Sequence, residues 1–568
     1  MRYWLVVSLL FGFGCGDDVA SDPAGTEGAD STSTTTGEVD PGSTGAGTTS
    51  SESTGALDTT AGTTGEPPPP PLEWSDECIT AGSDFGNLHP RMECTAIDVP
   101  LDWADPEGET ITIATFRVRS EAAERRGAFW MLDGGPGGSG IAFFLDSNGV
   151  DELNAEGWDL VVHSHRGTLA PRLECAGEPT GPACLAELEG TWGDGLQHFN
   201  TVQAAHDQAE LMRRAAVDDD GLAVVYGVSY GSYWGQFLLG LHPDVADAVI
   251  LDSVLGAYTS VATQEAAIDE RMLNLLQECV DDPICGARVG YTSGSEFAQA
   301  VIDAFDNGDC GPTDDGPWAA TSFKGEFGAM LNTGVARNYL PLLAALLARC
   351  TPEESSLVAG AIDQIFGRIF SAAPGPGTPQ AKLAEARARS LHYGVSPDVF
   401  GSSALFPVVV STTMLPDDVD IQVGANVLAT TGLPSAVAGA HEFFGPLPDV
   451  AFDADFVPEV PVLILNANYD LQTPFPWATA VADQYGVEVI AVPDGQHSVF
   501  SPGNGGRTVD GAGCIRPLVF GFAAAPGDPL EDACLESLPQ VDVNLTRPDL
   551  VSISKAVFGL EDPWTLVE

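Results

Sequence analysis

One serine constrains this chain more than any other feature in it. Ser229 stands in Tyr226-Gly227-Val228-Ser229-Tyr230-Gly231-Ser232, a G-x-S-x-G run that follows the apolar stretch Leu222 to Tyr226 and precedes the apolar, helix-like run Tyr233 to Leu241. A strand that turns sharply into a helix leaves little room beside the turning residue, so glycine two positions to either side suits that geometry. The serine oxygen then projects above the end of a sheet. The backbone N–H of Tyr230, at the start of the helix, can stabilise an anion there. Strand-like runs recur at Thr110 to Val118, Phe129 to Leu132, Leu160 to His163, Ala248 to Leu251, Pro461 to Asn466 and Val487 to Val492, with helical stretches such as Val202 to Ala215 between them. The pattern predicts an α/β fold with a mostly parallel sheet covered on both faces.

The alternation fades between about Tyr258 and Val450, where helical stretches dominate at Gln264 to Val280, Tyr339 to Ala348 and Ala381 to Leu391. The chain therefore divides into a first core part (73–258), an inserted helical cap (259–450) and a second core part with a C-terminal segment (451–568). Residues 16–72 are rich in Ser, Thr, Gly and acids and close on five prolines. Such a stretch has too little apolar surface to offset its ordering entropy, which predicts a flexible tether with a stiffer end. Residues 1–15 carry Arg2, an apolar run from Tyr3 to Phe13, and then Cys15. That run is too short to span a bilayer as a mature helix but suits a secretory signal; Cys15 resembles the acceptor cysteine of a lipoprotein signal, with ordinary secretion as the alternative.

With Cys15 set aside, ten of the eleven cysteines remain and can pair fully, which predicts an oxidising, extracytoplasmic compartment. Proximity suggests Cys78 with Cys94, Cys175 with Cys184, Cys279 with Cys285, Cys310 with Cys350, and Cys514 with Cys534. No pair has the tight CxxC spacing of a structural zinc site. The 81 acidic and 23 basic residues give a net charge of −58, of which the first 72 residues hold only ten acids and one base. A body this acidic repels nucleic acid and anionic lipid headgroups, so any membrane contact runs through the lipid anchor.

A nucleophilic serine needs a base, and the base needs an orienting acid. Asp470 follows the strand Pro461 to Asn466 by a short loop, and His497 follows the strand Val487 to Val492 in the same way. Asp453, Asp455 and Asp494 are rivals for the acid, but only Asp470 follows a full strand so closely. A second glycine run, Gly134-Gly135-Pro136-Gly137-Gly138-Ser139-Gly140, comes after the strand Phe129 to Leu132 and makes Gly135 the second candidate donor to an oxyanion. Pro136 interrupts it and no P-loop lysine follows, which argues against a phosphate loop. His163 and His165 lie two apart on a strand, without a third ligand at helpful spacing, so no metal is expected. His206, His242 and His392 read as surface or packing residues.

From about Trp74 onward the chain resembles the secreted tripeptidyl and prolyl aminopeptidase-like serine peptidases, a branch of the α/β-hydrolases. Gly134 to Gly140 looks like their GGPGGSG loop, Arg166-Gly167-Thr168 like their RGTG loop, Tyr226 to Ser232 like their GxSYGT elbow, and Pro461 to Pro474 like their acid-bearing strand and loop. Cys514 and Cys534 look like a cysteine pair of their C-terminal segment. The resemblance implies an α/β-hydrolase fold with an inserted helical cap. It also implies cofactor-free removal of short peptides or single residues from free N-termini, with a peptide as the substrate. Asp133 stands where that family often has His or Asn, and Leu169 replaces the second glycine of RGTG. Carboxylates of the cap bind the substrate's amine in that family, which here leaves Glu265, Asp269, Glu270 and Glu442 unranked. An ester hydrolase uses the same triad, and a surface binding protein can retain the same fold.

Overall fold

The computed structural model describes residues 69–567 apart from 81–82, 86–87, 146, 177–181, 220, 258–262, 307–319, 350, 372–401, 411–454 and 501–512. Cys15, Cys310, Cys350, Ala381 to Leu391, His392, Glu442 and Asp453 lie outside the described residues, as do the signal-like segment and the tether up to Pro68.

Eight strands form one sheet: β1 Met92–Pro100, β2 Thr110–Val118, β3 Gly127–Leu132, β4 Trp158–His163, β5 Leu222–Val228, β6 Ala248–Asp252, β7 Val462–Ala467 and β8 Val489–Val492. Their spatial order is β1-β2-β4-β3-β5-β6-β7-β8; β2 runs antiparallel to β1 and β4, and every pairing from β4 to β8 is parallel. That order, with helical crossovers on both faces, is the α/β-hydrolase fold. The helices are α1 Ser147–Ala155, α2 Pro182–Trp192, α3 Thr201–Ala216, α4 Tyr230–Leu241, α5 Gln264–Asp281, α6 Cys285–Val289, α7 Gly294–Asp306, α8 Ala320–Leu331, α9 Gly334–Arg337, α10 Leu340–Arg349, α11 Pro352–Ser371, α12 Leu405–Val409, α13 Phe475–Tyr485, α14 Ile515–Ala524 and α15 Pro548–Phe558.

Side chains alternate across a strand, so a strand covered on both faces must be apolar throughout. Phe129, Met131, Leu160, Val162, Val224, Tyr226, Ile250 and Leu465 face a core closed by α1 and α14. Their neighbours Trp130, Leu132, Val161, Val225, Val249, Leu251 and Ile464 face the opposite core, closed by α3, α4 and α13. β1 alternates buried and open positions, as an antiparallel edge strand does.

Between β6 and β7 the regular elements among the described residues are helices. In α5, Ile268, Met272, Leu275, Leu276 and Cys279 make a stripe at helical spacing. That stripe packs with α7, α8, α10 and α11 into a third apolar cluster, which also takes Tyr469 and Leu471 from the loop after β7 and Val543, Leu545, Leu550 and Trp564 from the C-terminal segment. Conversely, Leu405, Val408 and Val409 of α12 pack with the sheet's own core. Disulfides join Cys78 to Cys94, Cys175 to Cys184, Cys279 to Cys285 and Cys514 to Cys534. Among the described residues no helix is long and apolar enough to cross a membrane.

Candidate active site

Ser229 lies at the turn from β5 into α4 with φ 56° and ψ −125°, a backbone region that costs a non-glycine residue about 1–3 kcal/mol. The surroundings hold it there. Its N–H donates to the Asp252 carbonyl at 3.0 Å, and its own carbonyl accepts the Ser232 N–H at 2.9 Å and the Ser232 hydroxyl at 2.6 Å. The glycines are steric necessities. A Cβ on Gly227 would stand 2.3 Å from the Gly231 carbonyl oxygen, and one on Gly231 would stand 2.0 Å from that of Leu132.

The glycine loop after β3 passes directly over the serine, since a Cβ on Gly134 would lie 3.1 Å from Ser229 Cβ. Asp133 closes this loop: one carboxylate oxygen accepts the Gly134 N–H at 2.7 Å and the other the Gly140 N–H at 2.8 Å. Desolvation pushes its carboxyl above the usual value while those two donors pull it back. An aspartate can close both ends of the loop because each of its oxygens accepts. Gly135 follows within the loop, and Ser402, just ahead of α12, donates its N–H to the Gly137 carbonyl at 2.8 Å.

His497 and Asp470 meet. The imidazole Nδ1 is 2.9 Å from both carboxylate oxygens of Asp470 and 3.2 Å from Thr473 Oγ. Asp470 is buried and also accepts the N–H groups of Gln472 and Thr473 and the Thr473 hydroxyl, at 3.0, 2.9 and 2.7 Å. Against the upward push of burial, the neighbouring His497 and these donors hold the Asp470 carboxyl below its ordinary value. Burial disfavours the His497 cation, yet the Asp470 charge and hydrogen bond, with Asp252 behind them, hold that imidazole above its ordinary value. A proton on Nδ1 facing the carboxylate leaves the ring's lone pair on Nε2, the tautomer a general base requires.

Of the rival acids, Asp494 is taken up by Arg337 and Arg547, at 3.5 and 3.2 Å, and Asp455 lies exposed. His163 and His165 are buried and neutral, pushed down to about 4 and about 3 by burial. Their partners are structural: His163 Nδ1 meets Gln208 Oε1 at 2.8 Å, and His165 Nε2 meets the Tyr230 hydroxyl at 3.0 Å. Thr201 shares that hydroxyl at 2.9 Å, so the side chain after the serine is anchored from two sides. Arg166 is wholly buried and clasps Asp207 with two hydrogen bonds of 2.8 and 2.6 Å. His206 and His242 contact each other at 2.8 Å on α3 and at the end of α4. Among the described residues no group of three His, Cys, Asp or Glu is arranged to hold a metal ion.

Helix α5 meets the loop bearing Asp470. Gln264 at the start of α5 donates to the Gln472 carbonyl at 2.6 Å, and the next residue, Glu265, is buried. A cavity of about 180 Å³ opens between Glu270, Arg271 and Asn274 of α5 and Asn468 and Asp470 of the loop. Tyr469 is held between the guanidinium groups of Arg271 and Arg337, at 4.1 and 4.2 Å from the ring centre, and Arg337 donates to the Gly495 carbonyl at 2.9 Å. The sequence reading missed Arg337, Thr473 and Asp252. For Asp252 a signal existed, because it is an acid at the C-terminal end of the strand next to that of the serine.

The strand order is that of the α/β-hydrolase fold, which carries Ser229 at the tight turn after β5 and the histidine–aspartate pair on the loops after β7 and β8. No protein-family model matches the chain. It is similar to the tripeptidyl aminopeptidases of Streptomyces lividans and Streptomyces coelicolor, in each case 27% identical over 228 residues, which cover 35% of this chain and 41% of the relative. The match thus spans less than half the length of those relatives. Among solved structures, a carboxyl esterase from Bacillus coagulans aligns with 72% of this chain and 92% of its own, at 12% identity and a TM-score of 0.28. An esterase from Exiguobacterium antarcticum aligns with 69% and 90%, at 12% identity and a TM-score of 0.28.

Proposed function

We propose that the protein is a serine exopeptidase of the aminopeptidase type, acting on peptides with a free N-terminus through an acyl-enzyme. The observation that carries this reading is the contact of His497 Nδ1 with both oxygens of buried Asp470, on a loop tied through Val499 and Phe500 to Asp252, which also accepts the Ser229 N–H. In the cycle, His497 takes the proton of Ser229 as its oxygen attacks the substrate carbonyl. The N–H groups of Tyr230 and Gly135 receive the developing oxyanion. His497 then protonates the leaving amine, and water, activated by the same imidazole, releases the acyl group. Asp470 keeps the proton on Nδ1 and stabilises the imidazolium between the steps.

The choice of a peptide over an ester is supported by the similarity to tripeptidyl aminopeptidases. It is supported too by the acidic start of α5, where Glu270 lines a cavity shared with Asn468 and Asp470; Glu270, with Glu265 and Asp269 on the same helix, is a candidate for binding a substrate ammonium. The disulfides support an extracytoplasmic setting, in which Cys15 would carry the lipid and residues 16–72 would hold the body off the membrane.

The test is hydrolysis of peptidyl and aminoacyl p-nitroanilides with free and blocked N-termini, beside p-nitrophenyl esters, by the parent protein and its Ser229→Ala variant. Turnover of the free-amine anilides, lost on blocking and lost in the variant, is expected. Turnover of esters alone would replace the peptidase reading with an ester hydrolase. A folded parent that turns over nothing and is not labelled by a fluorophosphonate would leave a binding protein.

A further inference from the structure

Asp252 is the last residue of β6, is fully buried, and has no part in the cycle above. Its carboxylate is saturated. One oxygen accepts the Val499 N–H at 2.9 Å and the Ser253 hydroxyl at 3.1 Å; the other accepts the Phe500 N–H at 2.8 Å and the Tyr226 hydroxyl at 2.7 Å. Four donors fill the four lone-pair sites of an ionised carboxylate and work against burial, which pushes the carboxyl above its ordinary value. Ser253 extends the clasp, because its oxygen also accepts the Ser498 N–H at 2.7 Å. The three residues after His497 are therefore gripped in succession by two side chains from one strand end. The same Asp252, through its backbone carbonyl, holds the N–H of Ser229. Ser253 and Ser498 both adopt positive φ, 54° and 67°, conformations that need such over-determination to persist.

We propose that Asp252 is a positioning residue of the active site: a buried anion that fixes the loop bearing His497 to the strand end that also fixes Ser229, and so sets base against nucleophile. The inference rests on the triad assignment given under Proposed function. The anion's alignment matters because a displacement of about 1 Å between reacting groups costs on the order of 10²-fold in rate. The titratable groups facing the carboxylate are Tyr226 from β5 and His497 from the loop after β8.

Asp252→Asn is the conservative test, since it keeps the shape but sets an amide N–H₂ against a donor. Its expected effect is a fall in kcat of about 10²-fold with KM within about threefold, a parallel fall in the rate of fluorophosphonate labelling, and a downward shift of the His497 titration followed by histidine NMR. A merely structural role would lower the melting temperature but leave kcat per folded molecule and the His497 titration unchanged, and that result would overturn the inference. Should Asp252→Asn not fold, Ser253→Ala removes the grip on Ser498 and one of the four donors to Asp252 and is expected to lower kcat without changing KM; parent-like kcat there would also overturn it. An unlabelled, inactive parent would instead count against the triad reading. The NMR titration decides the role of Asp252 in either case.

Discussion

Replacing Asp470 by asparagine tests the site through the direction of a single proton. One Asp470 oxygen accepts two backbone N–H groups, from Gln472 and Thr473, and the other accepts the Thr473 hydroxyl; His497 Nδ1 is 2.9 Å from each. In Asp470→Asn the amide oxygen must stay with the two backbone donors, because turning the amide over would set N–H against N–H. The amide N–H₂ then points at Nδ1 and donates to it. A neutral imidazole that accepts at Nδ1 carries its proton on Nε2 and has no lone pair there for the serine's proton. Such a wrong tautomer costs a Ser-His-Asp triad about 10⁴ in kcat, or ~5.5 kcal/mol of barrier at ~1.36 kcal/mol per decade. KM should move by less than about threefold, since nothing that binds substrate has changed. The assay is kcat and KM on a free-amine anilide, with labelling by a fluorophosphonate as an independent rate. Asp470→Ala sharpens the test: it leaves the Thr473 hydroxyl, 3.2 Å from Nδ1, to accept that proton, so the smaller side chain should be the less damaging one. An asparagine variant within about tenfold of the parent, or an alanine variant worse than it, would refute the reasoning.

The base works only when neutral, and Asp470 holds His497 above its ordinary value despite burial, so kcat/KM should rise with pH through an apparent pKa above about 6.5. In Asp470→Asn that limb should move to lower pH, and a parent profile already flat below pH 6 would contradict the assignment. Gly231→Ala would put a methyl group 2.0 Å from the Leu132 carbonyl oxygen and should yield no soluble folded protein, read by expression and circular dichroism. Arg166→Met strands the buried Asp207 carboxylate and should lower unfolding free energy in urea by about 3–5 kcal/mol. A loss under about 1 kcal/mol would mean the pair contributes little beyond its solvation cost.

What was legible in the sequence follows from the range of the interactions involved. Strands β3 to β7 could be read because strands buried on both faces must be apolar nearly end to end, and Leu222 to Tyr226 or Ala248 to Leu251 satisfy that locally. The turn at Ser229 could be read because its glycines answer to neighbours within the motif and to the adjacent strand. β1 was missed, since Glu93 and Asp98 interrupt its apolar residues where an edge strand faces solvent. Asp252 escaped because its place at the end of the neighbouring strand only marks it as an acid near the site, and the donors that give it a role, two of them from residues nearly 250 positions away, leave no trace in the local sequence. The same holds for Arg337, whose partners Tyr469, Asp494 and Gly495 come from other loops. Nor does apolar periodicity, in α15 or elsewhere, say which surface a helix covers. Leu550 in fact seals the cluster built on α5 and α10.

That seal bears on the order in which the molecule can be completed. A chain made from its N-terminus outward exposes the apolar stripe of α5 long before Leu550 and Trp564 exist to cover it, and the Tyr339 hydroxyl waits for a carbonyl, that of Leu550, more than two hundred residues downstream. The Asp470 and His497 loops also arrive late, and Tyr469 beside the first of them joins the same cluster. Closure of the helical region and arrival of the Asp470 and His497 loops thus fall together, late in the making of the chain.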